Sequence, residues 1–274
     1  MSRKITTLLA GLVGLGTGYG NAWRRAQRRL MVSEQLHQHH RVATKHGVLI
    51  FVSTHLRALE APRNFHGAEP ETLAWIDSFA PGAVLWDIGA NVGMYTLYAG
   101  KRGDLDVFAF EPSPFSYAAL CTNLAANELD RVSAYCIALS ERTQLGTLNM
   151  PRTYPGSVYN AFEDRVEVTM TGDRVTVELR QAAVGICADD LVDEFGAAPP
   201  NHIKLDVDST EVAILRGAAR LLRSPTLLSI SVENTLHDTP QNRAIDALLG
   251  EAGFQAESCG RGGSDVTVNV IYRR

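Results

Sequence analysis

The chain has 274 residues, of which 45% are hydrophobic and 20% charged, with a formal net charge of −4. That is a globular composition, long enough for one sizeable domain with an appendage, and it lacks the basic excess of a general nucleic-acid binder. The four cysteines, Cys121, Cys136, Cys187 and Cys259, form no CxxC pair. They read as reduced thiols rather than a disulfide framework or zinc site.

In chain order, residues 5–23 carry no charge and are flanked by Arg3 and Lys4 before and by Arg24, Arg25, Arg28 and Arg29 after. The stretch approaches the ~20 apolar residues of a spanning helix. Gly11, Gly14, Gly16, Gly18 and Gly20 dilute it. It is read as a candidate membrane-associated helix whose following basic cluster would hold the main domain on the cytoplasmic face. A frayed soluble helix, a cleaved signal peptide without a clean A-x-A site, or a start codon placed ahead of Met31 are the other readings. Ala22 to His46 is basic and free of Pro and Gly, which predicts a helix with His37, His39 and His40 on a solvated face. Pro70 to Phe79 has the spacing of a short amphipathic helix, and Pro81-Gly82 marks a turn.

From Ala83 onward strands and helices alternate. Expected strands are Ala83–Ile88, Asp106–Phe110, Val132–Leu139, His202–Val207, Leu227–Glu233 and Val266–Tyr272. Expected helices are Tyr95–Lys101, Phe115–Glu128, Glu211–Leu222 and Gln241–Ala252. Short apolar strands separated by helices imply an α/β fold, doubly wound around a mostly parallel sheet. Leu148 to Asp189 breaks the rhythm with Pro151, Pro155 and alternation around Val166–Met170 and Val175–Leu179. It reads as an inserted hairpin or lid. The domain boundaries expected are 1–68 for an N-terminal extension and 69–274 for the catalytic domain.

In such sheets ligands bind beyond the carboxyl ends of the strands. The first strand ends in Asp87-Ile-Gly89-Ala-Asn91-Val-Gly93. Glycines there permit a tight turn and close approach of backbone to ligand. The spacing is not the GxGxxG of dinucleotide sites. The second strand ends at Glu111, 24 residues after Asp87. An acidic residue at that distance is placed to accept hydrogen bonds from a ribose diol. Glu111 alone would equally serve the dipole of the following helix. Together the two features fit a nucleoside cofactor without a pyrophosphate.

The runs WDIGANVGMYTLYA, FAFEPSPFSYAALCTNLAANEL, AYCIALSERTQLGTLNM and HIKLDVDSTEVAILRGAARLL resemble the FkbM family of methyltransferases over about Glu69 to Glu233. The resemblance implies a class I methyltransferase fold and methyl transfer from S-adenosylmethionine, usually to oxygen, in several members on sugars or secondary metabolites. It implies that Asp87, Gly89, Asn91 and Gly93 form the first cofactor motif and that Glu111 binds the ribose. It also places Ala138, Leu139 and Ser140 near the adenine. Lys204, Asp206, Asp208 and Glu211 match the fourth-strand signature, and Glu233 ends the fifth strand. One departure is Ser209, where the family usually has glycine; a positive φ there would strain the turn.

Methyl transfer is an in-line displacement, and a hydroxyl acceptor benefits from a general base. Asp206 and Asp208 are the best-placed candidates, with Glu233 beside them. The same carboxylates, with Glu211, could hold Mg²⁺, or could simply pair with Lys204. His237 is an alternative base. In the insert, Arg152, Tyr154, Tyr159 and Arg165 are candidate contacts to a small-molecule or glycan acceptor. The competing readings are a methyltransferase-like binding module that is weak or inactive, and another nucleotide-binding enzyme such as a dehydrogenase.

Overall fold

The computed structural model describes residues 3–36, 38–164, 174–237, 239–261 and 267–274. The chain divides into two compact units, 1–39 and 40–274. The first contains α1 (Arg3–Thr17) and α2 (Ala22–Gln35). The Asn21 side chain accepts from the Arg24 backbone N–H at 2.9 Å and so caps α2. At 15 residues, α1 is about 22 Å long, short of the ~30 Å hydrocarbon core. Among the described residues, no helix is long and apolar enough to cross a membrane. Residues 5–23 do not form one helix, because α1 ends at Thr17 within the glycine-rich stretch.

Strands β1 (Gln38–Thr44) and β2 (Gly47–Ser53) follow and form a two-stranded sheet. The expected helix to His46 thus stops at Gln35. His39 and His40 lie on a strand, and His37 falls outside the described residues. The free edge of β2 is satisfied by side chains of a later helix, residues 114–127. Asn127 Oδ1 accepts from the Ile50 N–H at 2.8 Å, its Nδ2 donates to the Ile50 carbonyl at 2.6 Å, and Asn123 Oδ1 accepts from Val52 at 2.7 Å. Next come α3 (Glu60–Ala68) and α4 (Pro70–Asp77).

The alternating region follows: β3 (Val84–Ile88), α5 (Met94–Lys101), β4 (Asp106–Phe110), α6 (Pro114–Asn127), β5 (Val132–Tyr135), β6 (Ala138–Ser140), β7 (Gln144–Met150), β8 (Ala161–Phe162), β9 (Leu179–Cys187), α7 (Ala188–Asp193), β10 (His202–Leu205), α8 (Glu211–Arg216), β11 (Ser229–Thr235), α9 (Pro240–Glu251), β12 (Gln255–Arg261) and β13 (Thr267–Arg273). Seven strands form the main sheet in the order β12-β13-β11-β10-β3-β4-β5. Its neighbours β11-β10-β3-β4-β5 are parallel, whereas β13 runs antiparallel to β11 and β12. Strand order reverses between β3 and β10, which is the class I methyltransferase arrangement implied by the resemblance. The strand β12 carries no apolar alternation and went unforeseen.

Alternate residues of β3 serve opposite layers. Leu85 packs with Phe51, Phe65, Trp75 and Leu97, and Trp86 with Ile203, Leu215, Ile230 and Leu249. Residues 40–68 contribute Val42, Leu49, Phe51 and Phe65 to the first of these cores. The expected third strand splits at Cys136-Ile137, and its second half, β6, joins a separate sheet, β6-β9-β7-β8. The inserted hairpin is therefore β7 and β9, paired antiparallel from Gln144↔Gly185 to Met150↔Leu179. Val166–Met170 lies outside the described residues, and Val175–Leu179 is not a strand until Leu179.

Candidate active site

The switch point between β3 and β10 opens a cleft at the carboxyl ends of both strands. β3 leads into a turn in which Gly89, Asn91 and Gly93 have φ of +86°, +50° and +92°. A Cβ on Gly89 would lie 1.9 Å from the Asp206 carbonyl oxygen, so glycine there lets the two strand ends close together. The Gly89 and Ala90 N–H groups donate to Phe110 at 2.9 and 3.1 Å, locking the turn to β4. A Cβ on Gly93 would instead meet the Leu120 side chain at 2.5 Å. Gly93 therefore serves close packing of α5 against α6, and does not line the cleft.

A cavity of about 320 Å³ fills the cleft, with Glu69, Glu111, Asp206, Asp208 and Glu233 in its wall beside Asn91, Asn160 and, as the one cation among the described residues, Arg57. Glu111 is fixed by two backbone donors: Asn91 N–H to Oε2 and Ser113 N–H to Oε1, both at 2.8 Å. Each oxygen keeps a lone pair for a further donor, the geometry a ribose diol requires. Burial raises the Glu111 pKa to about 7 against the lowering effect of those two N–H groups. Asn91 Oδ1 is buried without a hydrogen-bond partner among the described residues, although its Nδ2 donates to the Ser157 carbonyl at 3.3 Å.

Two smaller cavities adjoin. One, about 190 Å³, is walled by Asp87, Gly89, Asn91, Tyr95 and Lys204. Asp87 is buried, accepts from the Thr96 hydroxyl, and is raised in pKa by desolvation. The other is a narrow apolar slot of about 30 Å³ between Ile88, Phe110, Ile137, Ala138, Leu139 and Phe162. Ala138 and Leu139 thus line this slot. Ser140 turns away, its hydroxyl donating to the Arg142 carbonyl at 2.6 Å. A diol acceptor, an apolar slot and an orphaned amide oxygen around one cavity fit S-adenosylmethionine.

Lys204, on β10, is buried and reaches Asp206 at 2.5 Å and Glu69 at 3.9 Å. Its ammonium also sits 4.6 Å from the centre of the Tyr95 ring. Burial opposes its charge, but Asp206, Glu69 and Asp87 outweigh it and hold Lys204 more firmly protonated than an ordinary lysine. Glu69, at the N-terminus of α4, accepts from the Thr72 hydroxyl at 2.8 Å and is raised in pKa by burial. Asp208 has a different setting. Its carboxylate accepts from the Tyr159 backbone N–H, and burial plus the charge of Asp206 raise its pKa to about 7. Burial and Asp206 likewise raise Glu233 to about 8. Ser209 follows with φ +83°, the left-handed conformation that its sequence position threatened.

Glu211 is buried but outside this wall, where Gln241 Nε2 donates to it at 2.6 Å. His237 is exposed and also outside this wall; its carbonyl accepts from Asn242 at 2.9 Å. Among the described residues no group of three or more His, Cys, Asp or Glu side chains is arranged to hold a metal, so the Mg²⁺ expectation gains no support. In this cluster Lys204 supplies the counter-charge. Arg152, Tyr154 and Tyr159 face a neighbouring cavity, and Arg165 lies outside the described residues. Glu69 and Arg57 were not anticipated. Neither carries a sequence signal beyond a charge near a helix start.

A family model for the methyltransferase FkbM domain matches residues 87–256. The chain is 25% identical over 195 residues to the hexuronic acid methyltransferase AglP of Haloferax volcanii, covering 71% of this chain and 73% of that protein. It is 26% identical over 155 residues to the 31-O-demethyl-FK506 methyltransferase FkbM of Streptomyces tacrolimicus, covering 50% of this chain and 60% of that protein. Among solved structures, the precorrin-6y C5,15-methyltransferase of Geobacter metallireducens superimposes with a TM-score of 0.46 at 16% identity, covering 75% and 86% of the two chains.

Proposed function

The chain belongs to the FkbM family of S-adenosylmethionine-dependent methyltransferases, and from that premise we propose that it methylates a hydroxyl oxygen of a sugar, glycan or secondary-metabolite acceptor. The observation that carries this reading is the pairing of two unlike carboxylates at the end of β10. Asp206 is neutralised by Lys204, whereas Asp208 faces the cavity with its pKa raised to about 7. Bound S-adenosylmethionine supplies a methyl group already activated on a sulfonium. The residues of the chain then have two tasks, to align the acceptor and to take its proton.

Glu111 and Asn91 hold the nucleoside, and the slot beside Leu139 takes its base. Asp208 accepts the hydroxyl proton, because a carboxylate raised toward neutrality is a stronger base than an ordinary one. Glu69, Asp206 and Glu233 line the same cavity. Burial there penalises a further negative charge, which favours a neutral hydroxyl over a carboxylate as the methylated group. The hexuronic acid and 31-O-demethyl-FK506 in the names of two relatives support a hydroxyl-bearing acceptor.

The test is calorimetric titration of the full chain with S-adenosylhomocysteine, followed by turnover on a glycan panel. Glu111→Ala should lose cofactor binding. In the wild type kcat should rise with pH through about 7 as Asp208 deprotonates, and Asp208→Asn should lower it by ~10²–10⁴. Full retention of activity in Asp208→Asn would refute its role. A second reading, a weak or non-catalytic module, draws on the strained Ser209; cofactor binding without turnover on any acceptor would select it.

A further inference from the structure

A second cavity of about 300 Å³ adjoins the acidic one and shares Arg57, Ser157, Val158 and Tyr159 with it. Its chemistry is opposite. Arg57, Arg152 and Arg174 line it, and among the described residues no carboxylate does. Two of these guanidinium groups lean on carboxylates behind the wall: Arg57 on Glu60 at 2.8 Å and Arg152 on Glu178 at 3.0 Å. All four side chains are between 41% and 49% exposed, so these pairs hold weakly and give way to a ligand oxyanion that fits the guanidinium fork. Tyr154 forms an aromatic wall, stacked on His55 with ring centres 4.1 Å apart.

The boundary between the two cavities is strained. Tyr159 lines both and has φ +64°, a conformation unfavourable for a residue other than glycine. Its N–H is what binds Asp208. Strain of this kind persists where the surroundings impose it, and such places concentrate at functional sites. The wall of the basic cavity is thereby tied to the carboxylate assigned as base.

We propose that the basic cavity is the acceptor subsite for an acidic sugar, whose carboxylate or phosphate pairs with Arg152 and Arg174 while a ring hydroxyl passes Arg57 and Tyr159 to reach Asp208. The inference rests on the methyltransferase reading above. In the reaction the acceptor O–C bond forms as the S–C bond of the cofactor breaks, and the hydroxyl proton passes to the Asp208 carboxylate. The products are a methyl ether and S-adenosylhomocysteine, and the acid group is untouched. Among the described residues, the reaction cavity offers that acid group one guanidinium, Arg57, whereas the basic cavity offers three.

The test uses the full chain saturated with S-adenosylhomocysteine and ligand-observed NMR with three probes: glucuronic acid, glucose 1-phosphate and glucose. Binding of glucuronic acid identifies a carboxylate ligand, and binding of glucose 1-phosphate a phosphate. Glucose should bind at least tenfold more weakly than the acidic sugar that binds. Arg152→Gln and Arg174→Gln should each weaken that acidic sugar at least tenfold, with S-adenosylhomocysteine affinity within twofold of wild type. Equal binding of glucose, unchanged binding in both variants, or no binding of either acidic sugar would overturn the subsite and leave the cofactor reading standing. Failure of S-adenosylhomocysteine to bind would overturn both.

Discussion

Replacing Ser209 with glycine removes a Cβ from a residue held at φ +83°. A left-handed conformation costs an ordinary residue ~1–2 kcal/mol. Glycine returns part of that gain, because its freer unfolded chain loses ~0.4–1 kcal/mol more on folding. The Ser209 side chain is exposed, so its removal opens no cavity. The net expectation is a stabilisation of about 0.5–1 kcal/mol, or a rise in Tm of about 1–4 °C for a domain of this size. Scanning calorimetry of the full chain measures it, with Ser209→Ala as control. Alanine keeps the Cβ and should leave Tm within about 1 °C of wild type, since surface changes of this kind stay within ~0.5 kcal/mol. A fall in Tm for Ser209→Gly, or an equal rise for Ser209→Ala, would refute the argument from backbone strain.

Gly89→Ala should cost about 2–4 kcal/mol in chemical denaturation and weaken S-adenosylhomocysteine more than tenfold, because the new Cβ would lie 1.9 Å from the Asp206 carbonyl at φ +86°. Lys204→Met leaves Asp206, Glu69 and Asp87 without their counter-charge, and should lower unfolding free energy by ~3–5 kcal/mol at pH 8, with partial recovery at pH 5.5 as the carboxylates protonate. The ligand-free protein should lose stability as pH rises from about 4.5 to 8. Glu111, Asp208 and Glu233, raised to about 7, 7 and 8, keep protons in the folded state that the unfolded chain has already released. A Tm that climbs across that window in the wild type would show these groups to be charged and well paired instead.

The centre of the sheet and the turns that line the cleft were readable because their signals are local. Five-residue strands ending in Asp87-Ile-Gly89 and at Glu111 state the fold and the position of the cleft within 25 residues. Ser209 was readable for the same reason, since a missing glycine is a statement about one φ angle. The hairpin β1-β2 was not. Gln38-His39-His40-Arg41 looks like a continuation of a basic helix, and what makes it a strand lies elsewhere, in the apolar β2 that pairs with it. Asn123 and Asn127, on a helix about 75 residues downstream, complete that pairing from outside. Glu69 and Arg57 were illegible because their meaning is burial against Lys204 and a place in the cavity wall, which no spacing encodes. Gly93 shows the reverse case: a motif residue whose observed work is packing against Leu120.

The pairing of β3 with β10 also sets an order of events in synthesis. Val84 on β3 bonds to Asn201, 117 residues later in the chain, and Leu85 pairs with His202. At roughly 5–20 residues per second, the ribosome releases β3 about 6–23 s before its partner. Through that interval β3, β4 and β5 can associate, but one edge of β3 stays bare, an invitation to pair with another nascent chain. Since the cleft is the seam that finally closes this edge, the nascent protein is most exposed to aggregation at the very place proposed for its cofactor.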